Sequence, residues 1–149
     1  SLTEKNYNDQ ILRETLWNSK ALSSDVTAAL NPVFKSVHDM ENVARLSYGL
    51  AFAKYTGSRG KVMANDADAE FIQEIRQIFD KNEIKYQSGG FGKVDEGGGG
   101  TVAKFLAYYG IRTVDAGPGL LSMHSLFEIS SKADLYETYR AYKVFFELD

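Results

Sequence analysis

Cysteine is absent from all 149 residues, which removes both disulfides and thiolate metal ligands from consideration. Histidine is nearly absent too, with 2 residues, His38 and His124. No excess of one charge exists: 17 basic residues face 20 acidic ones, a net charge of −3. That balance leaves no electrostatic footprint for nucleic acid or an anionic membrane, and neither is expected as a partner. No apolar run approaches the ~20 residues that a membrane-spanning helix needs. The opening "SLTEKNYNDQ" lacks the charged-then-apolar pattern of a secretory signal, so a cytoplasmic location is the expectation. Apolar residues nevertheless reach 44%, with 9 Phe and 9 Tyr, which argues against disorder and for one domain with an aromatic-rich core.

Helical and extended patterns alternate along the chain. Residues 9–18 place Ile11, Leu12, Thr15 and Leu16 on one helical face. "ALSSDV", 21–26, reads as a strand ending near Asp25, and 27–49, with Pro32, reads as a long loop. "LAFAKY", 50–55, reads as a strand followed by the turn "GSRGK". Phe71, Ile72, Ile75, Ile78 and Phe79 mark a helix over 66–81, with Asn65 as its expected cap and Asp66, Asp68 and Glu70 near its positive end. A strand at 84–89, a helix at about 101–109 and a buried strand at 111–117 follow. The last helix is expected to open on the cap pair Ser131 and Asp134 and to turn Leu135, Tyr139, Tyr142 and Phe146 inward. This alternation predicts an α/β layered domain with a mostly parallel sheet flanked by helices.

Four consecutive glycines, Gly97 to Gly100, run into the helix at 101. A helix amino terminus can hold an anion. However, "DEGGGGTVAKF" lacks the Lys-Ser/Thr pair of a phosphate loop and the spacing of a dinucleotide fingerprint. Asp95 and Glu96 would also repel phosphate, so a tight turn lining a pocket is the better reading. His124 follows the apolar strand through a Gly-Pro-Gly loop, where open α/β sheets place ligands, although a lone histidine is more often bonded to backbone. Its neighbour Ser125 makes no triad with it, because sequence neighbours point apart. Asp25, at a strand end, suits a metal ligand or a simple turn cap. His38, in "VHDMEN", reads as solvated.

The segments "SSDVTAALNP", "GLAFAKYTGSRGKVMAND", "KVDEGGGGTVAKFLAYYGIRTVDAGPGLLSMHS" and "FEISSKADLYETYRAYKVFF" together resemble the aspartyl aminopeptidase and vacuolar aminopeptidase I family of dinuclear zinc peptidases. The resemblance runs from about Ser19 onward, in the family's order. It implies an aminopeptidase that removes amino-terminal residues from peptides, with two zinc ions or other divalent metals, and a large homo-oligomer. It further implies that Asp25 ligates one zinc and His124 the other. Lys54 matches a lysine that contacts substrate, and Asp95 and Gly99 fall on a loop beside the pocket. Oxygen and nitrogen donors of this kind suit zinc.

The family's site also needs a His-x-Asp segment, a bridging aspartate and a Glu-Glu pair that supplies the general base, and this chain has no His-x-Asp and no Glu-Glu. The resemblance thus implies that residues 1–149 are the carboxyl-terminal portion of a catalytic domain, that the general-base glutamate lies upstream, and that the chain alone is inactive. The alternative is a non-catalytic assembly or binding module of the same fold. Ala28 and Val62 stand where acid-specific relatives carry a histidine and a tyrosine, so a neutral or broad substrate preference is as consistent as an acidic one.

Overall fold

The computed structural model describes residues 8–58, 62–90, 93 and 98–147. Helix α1, Asp9–Trp17, matches its expected span, and Asn8 caps it by accepting the Ile11 N–H at 3.0 Å. Strands β1, Lys20–Ser23, and β2, Thr27–Ala28, follow. The segment expected to be only a loop, 27–49, is more ordered than its composition suggests. It contains β2, a 3-10 turn at Lys35–Val37 and a bridge between Ala29 and Ala44. The single strand expected over 50–55 breaks at Lys54 into β3, Leu50–Ala53, and β4, Tyr55–Ser58. β4 then forms a hairpin with β5, Val62–Asp66. Residues 59–61 of the expected turn lie outside the described residues.

Helix α2, Ala69–Lys81, starts later than its apolar spacing predicts. Asp68 is its cap, accepting the Phe71 N–H at 2.8 Å, because Asn65 and Asp66 are held in β5. The buried Asn65 side chain instead donates to the Thr113 carbonyl at 3.3 Å. Beyond it come β6, Tyr86–Ser88, α3, Ala103–Tyr108, and β7, Arg112–Gly117. The chain continues through β8, Gly119–Leu121, and β9, Ile129–Ser130, into α4, Lys132–Phe146.

The main sheet has the order β1-β7-β3-β6. β1 with β7 and β3 with β6 are parallel, while β7 with β3 is antiparallel. The layered α/β expectation therefore holds, on a sheet that is mixed. β2, β8 and β9 make a second small sheet. Val114 and Ala116 of β7 join Leu50, Phe52, Phe71, Ile75, Phe79 and Ala141 in the core under α2 and α4. Burying each of the Val, Leu, Ile and Phe side chains among these stabilises by roughly 1.5–3 kcal/mol. Alternation along β7 turns Thr113 and Asp115 to the other face, where α3 and β5 pack.

Helix α4 corrects a prediction. Its period is as expected, but its phase is not. Leu135, Tyr139 and Phe146 are exposed, whereas Asp134, Thr138 and Ala141 are buried and Tyr142 is half-buried. The cause is Asp134, whose carboxylate accepts the Ser47 and Gly49 N–H groups, each at 2.7 Å. That pull turns the small residues Thr138 and Ala141 toward the sheet. The capping box does not form, and the Ser131 hydroxyl pairs with that of Ser47 at 2.9 Å.

Candidate functional site

Asp25 lies two residues beyond β1 and is half-buried. Its backbone N–H donates to the Ser23 carbonyl at 2.8 Å, and its Oδ1 accepts the Val26 N–H at 2.9 Å. The Asp25 carbonyl packs so closely on Gly117 that a Cβ there would sit 2.1 Å from it. Only glycine fits at 117, and that contact sets where Asp25 leaves the sheet.

His124 stands on an exposed turn after β8, and its φ of 67° places it in the left-handed region. Ser122, two residues earlier, has φ 58°. Such conformations cost non-glycine residues about 1 kcal/mol or more and cluster at sites where geometry is imposed. The His124 N–H donates to Glu128 Oε1 at 2.6 Å, which helps hold the turn. β2 follows Asp25 and β8 precedes His124, and the two strands pair in parallel, with Thr27 opposite Gly119. The structure thus brings together the segments that carry these two residues.

A carboxylate oxygen and an imidazole nitrogen are donor types that zinc accepts, but zinc is almost always four-coordinate in structural sites and keeps three protein ligands in catalytic ones. Among the described residues no group of three or more His, Asp or Glu side chains could hold a metal ion. The donors here fit part of a zinc site in kind and fall short of a whole one in number.

Lys54 occupies the bend between β3 and β4, and its ammonium pairs with Asp66. It lines a cleft of about 620 Å³ with Phe52, Tyr55, Arg76 and Tyr86, and neither Asp25 nor His124 reaches that lining. Gly99 lies on the loop before α3, and a Cβ there would meet nothing within 4 Å. Asp95 lies outside the described residues, as does Gly97. The neighbouring Gly98 has φ 100°, which explains one glycine of the run.

Two polar residues behave differently from their sequence reading. His38, expected to be solvated, is only 7% exposed. The bridge from Ala29 to Ala44 and the Leu30 N–H to Ala44 carbonyl bond fold the loop back over it. Its Nε2 accepts the Asn31 N–H at 3.2 Å, its Nδ1 is buried without a partner among the described residues, and burial lowers its pKa. Asp115, within the strand read as buried and apolar, is 3% exposed. Its Oδ2 accepts the Thr101 hydroxyl at 2.9 Å and the Thr56 hydroxyl at 3.4 Å. Burial raises its pKa, and the negative charge of Asp25 adds to that against hydrogen bonding from Thr101 and Thr56. Ser23 Oγ and Asp115 Oδ1 are both buried without a hydrogen-bond partner among the described residues.

Comparison with known proteins supplies the context for this incomplete ligand set. A family model described as aminopeptidase I zinc metalloprotease (M18) matches residues 1–146. The "Probable M18 family aminopeptidase 1" of Borrelia garinii is 57% identical over 146 residues, which cover 98% of this chain and 32% of that protein. The crystal structure of an M18 family aminopeptidase from Thermotoga maritima superposes with a TM-score of 0.87 at 52% identity, covering 91% of this chain and 30% of that one. The S. cerevisiae mApe1 dodecamer, at 23% identity and a TM-score of 0.73, shares the fold, with 97% of this chain and 30% of that one covered. The chain spans about a third of the length of these relatives. A match along nearly the whole sequence, on the fold described above, places this chain in the M18 family of aminopeptidase I zinc metalloproteases.

Proposed function

We propose that this chain is the carboxyl-terminal portion of the catalytic domain of a metal-dependent aminopeptidase, and that it supplies Asp25 and His124 to a dinuclear zinc site. The observation that carries the reading is the family match over residues 1–146. The general base and the remaining ligands come from polypeptide outside this chain, so the chain alone does not turn over peptides. Zinc, when bound, polarises a scissile carbonyl and lowers the pKa of a water. This chain's residues do the holding. Gly117 fixes the path of Asp25, and the left-handed turn presents His124. Lys54 offers an ammonium to a substrate oxygen once Asp66 yields it. The loop bearing Asp95 and Gly99 lies beside the bound peptide. The whole protein is a cytoplasmic homo-oligomer, and its preference for the amino-terminal residue is neutral or broad as readily as acidic.

The test uses the whole polypeptide that contains this sequence, assayed on a panel of aminoacyl-p-nitroanilides with zinc content measured alongside. Asp25→Asn and His124→Ala should each lower kcat/KM by about 100-fold or more and reduce retained zinc. Gly99→Ala should raise KM with zinc and thermal midpoint unchanged. Full activity and full zinc content in both ligand variants would overturn the assignment. A whole polypeptide that is folded, zinc-free and inactive would instead favour the assembly module.

A further inference from the structure

Among the described residues, Asp115 is a buried carboxylate whose strand or side chain meets the segments bearing Asp25, Lys54 and Gly99. Its main-chain neighbour across β1 is Ser23, two residues before Asp25. On the other side, across β3, it is Ala53, the residue before Lys54. Its Oδ2 accepts the hydroxyl of Thr56, two residues after Lys54, and that of Thr101, two residues after Gly99. Thr101 Oγ1 in turn accepts the Ala103 N–H at 3.3 Å, which starts α3. Thr56 and Thr101 are both buried, so water does not compete for these contacts.

We propose that Asp115 is a positioning residue of the active site, a single buried acceptor that ties the Lys54 bend to the glycine loop from a strand whose main chain pairs beside Asp25. The inference rests on the site reading above and adds a residue that touches neither substrate nor metal. A cluster that merely satisfied core polar groups would affect stability throughout the domain. A positioning carboxylate instead governs the geometry of the two segments it bonds, and misplacement of about 1 Å at a reacting group can cost on the order of 100-fold in rate. Asparagine keeps an acceptor oxygen for Thr101 and Thr56, and its amide can donate to Ser23 Oγ. Alanine keeps neither.

The experiment uses the zinc-loaded whole enzyme and reads steady-state kinetics, hydrogen exchange and zinc content. Asp115→Ala should lower kcat about 10- to 100-fold. Amides at 55–57 and 99–103 should exchange faster while those of α2 stay protected. Asp115→Asn should restore most of kcat. Should the alanine variant fail to fold, Thr101→Val serves in its place, with a smaller kcat loss and faster exchange confined to 99–103. Unchanged kcat in whichever variant folds overturns the proposal. So does a loss that asparagine does not rescue and that follows the thermal midpoint alone. Asp25→Asn separates the two readings. If it keeps turnover and zinc, the site assignment fails, while the exchange pattern still decides the anchoring. If it is inactive and Asp115→Ala is not, only the positioning role fails.

Discussion

His38 is a neutral imidazole held inside a loop. Nε2 must be unprotonated to accept the Asn31 N–H, and Nδ1 meets no partner among the described residues. Charging the ring would break the first contact and bury a cation, so folding lowers its pKa below the ordinary 6.5. The unfolded chain therefore binds the proton first as pH falls. His38's contribution is complete above the unfolded value, begins to fade near 6.5, and is lost as pH falls through the folded value. Asp115 acts in the opposite sense, since its raised pKa makes the native state the better proton binder above 3.8. A comparison with His38→Gln isolates the histidine, because glutamine's carbonyl can still accept the Asn31 N–H. Thermal midpoints of the whole polypeptide should drop more steeply between about pH 7 and about pH 5.5 for the parent than for the variant. Parallel profiles would show that the native imidazole charges as easily as the unfolded one.

At the scale of elements, local signals were readable where the sequence itself contains the answer. Helix α2 shows its apolar stripe, and Phe71, Ile75 and Phe79 are its buried residues. Its cap was misplaced by three residues because Asn65 is committed to β5, a pairing made with β4 and not with its own neighbours. The rotation of α4 was not readable. Its stripe fits a buried face equally well, and what decides the phase is Asp134 meeting the Ser47 and Gly49 N–H groups, 87 and 85 residues away in sequence. Within the site the same division holds. Asp25 and His124 are legible as candidates from their places beyond apolar strands, with their assignment to zinc coming from a resemblance, whereas Asp115 gives no signal because Thr56 stands 59 residues from it. The α4 interaction makes its own prediction. Asp134→Ala leaves two N–H groups without their acceptor, at about 1–3 kcal/mol for an unsatisfied buried group. Stability should fall by about 2 kcal/mol or more, with Asp134→Asn recovering part of it. Urea unfolding of both variants measures the difference, and a loss under about 0.5 kcal/mol would mean that another contact sets the phase of α4.

The molecule as a whole carries more exposed apolar surface than its core explains. Trp17 on α1, Tyr108 at the end of α3, Leu126 and Phe127 beside His124, and Tyr139 and Phe146 on α4 all stand exposed, Leu126 at 96% and Phe146 at 83%. Scattered single residues of this kind are ordinary, but here they recur on several elements of a chain that spans about a third of its relatives' length. Each large side chain that finds cover gains roughly 1.5–3 kcal/mol, so contacts with further protein are strongly favoured over solvent. The net charge of −3 opposes association only weakly. The isolated chain should therefore self-associate in sedimentation velocity and bind an apolar dye. Lysine at both Tyr139 and Phe146 tests the α4 contribution, because these side chains lie outside the core cluster and can change without disturbing it. The double variant should keep its far-ultraviolet spectrum and shift toward monomer. If it associates as strongly as the parent, α4 is not the adhesive face, and the exposed residues around His124 become the next to be changed.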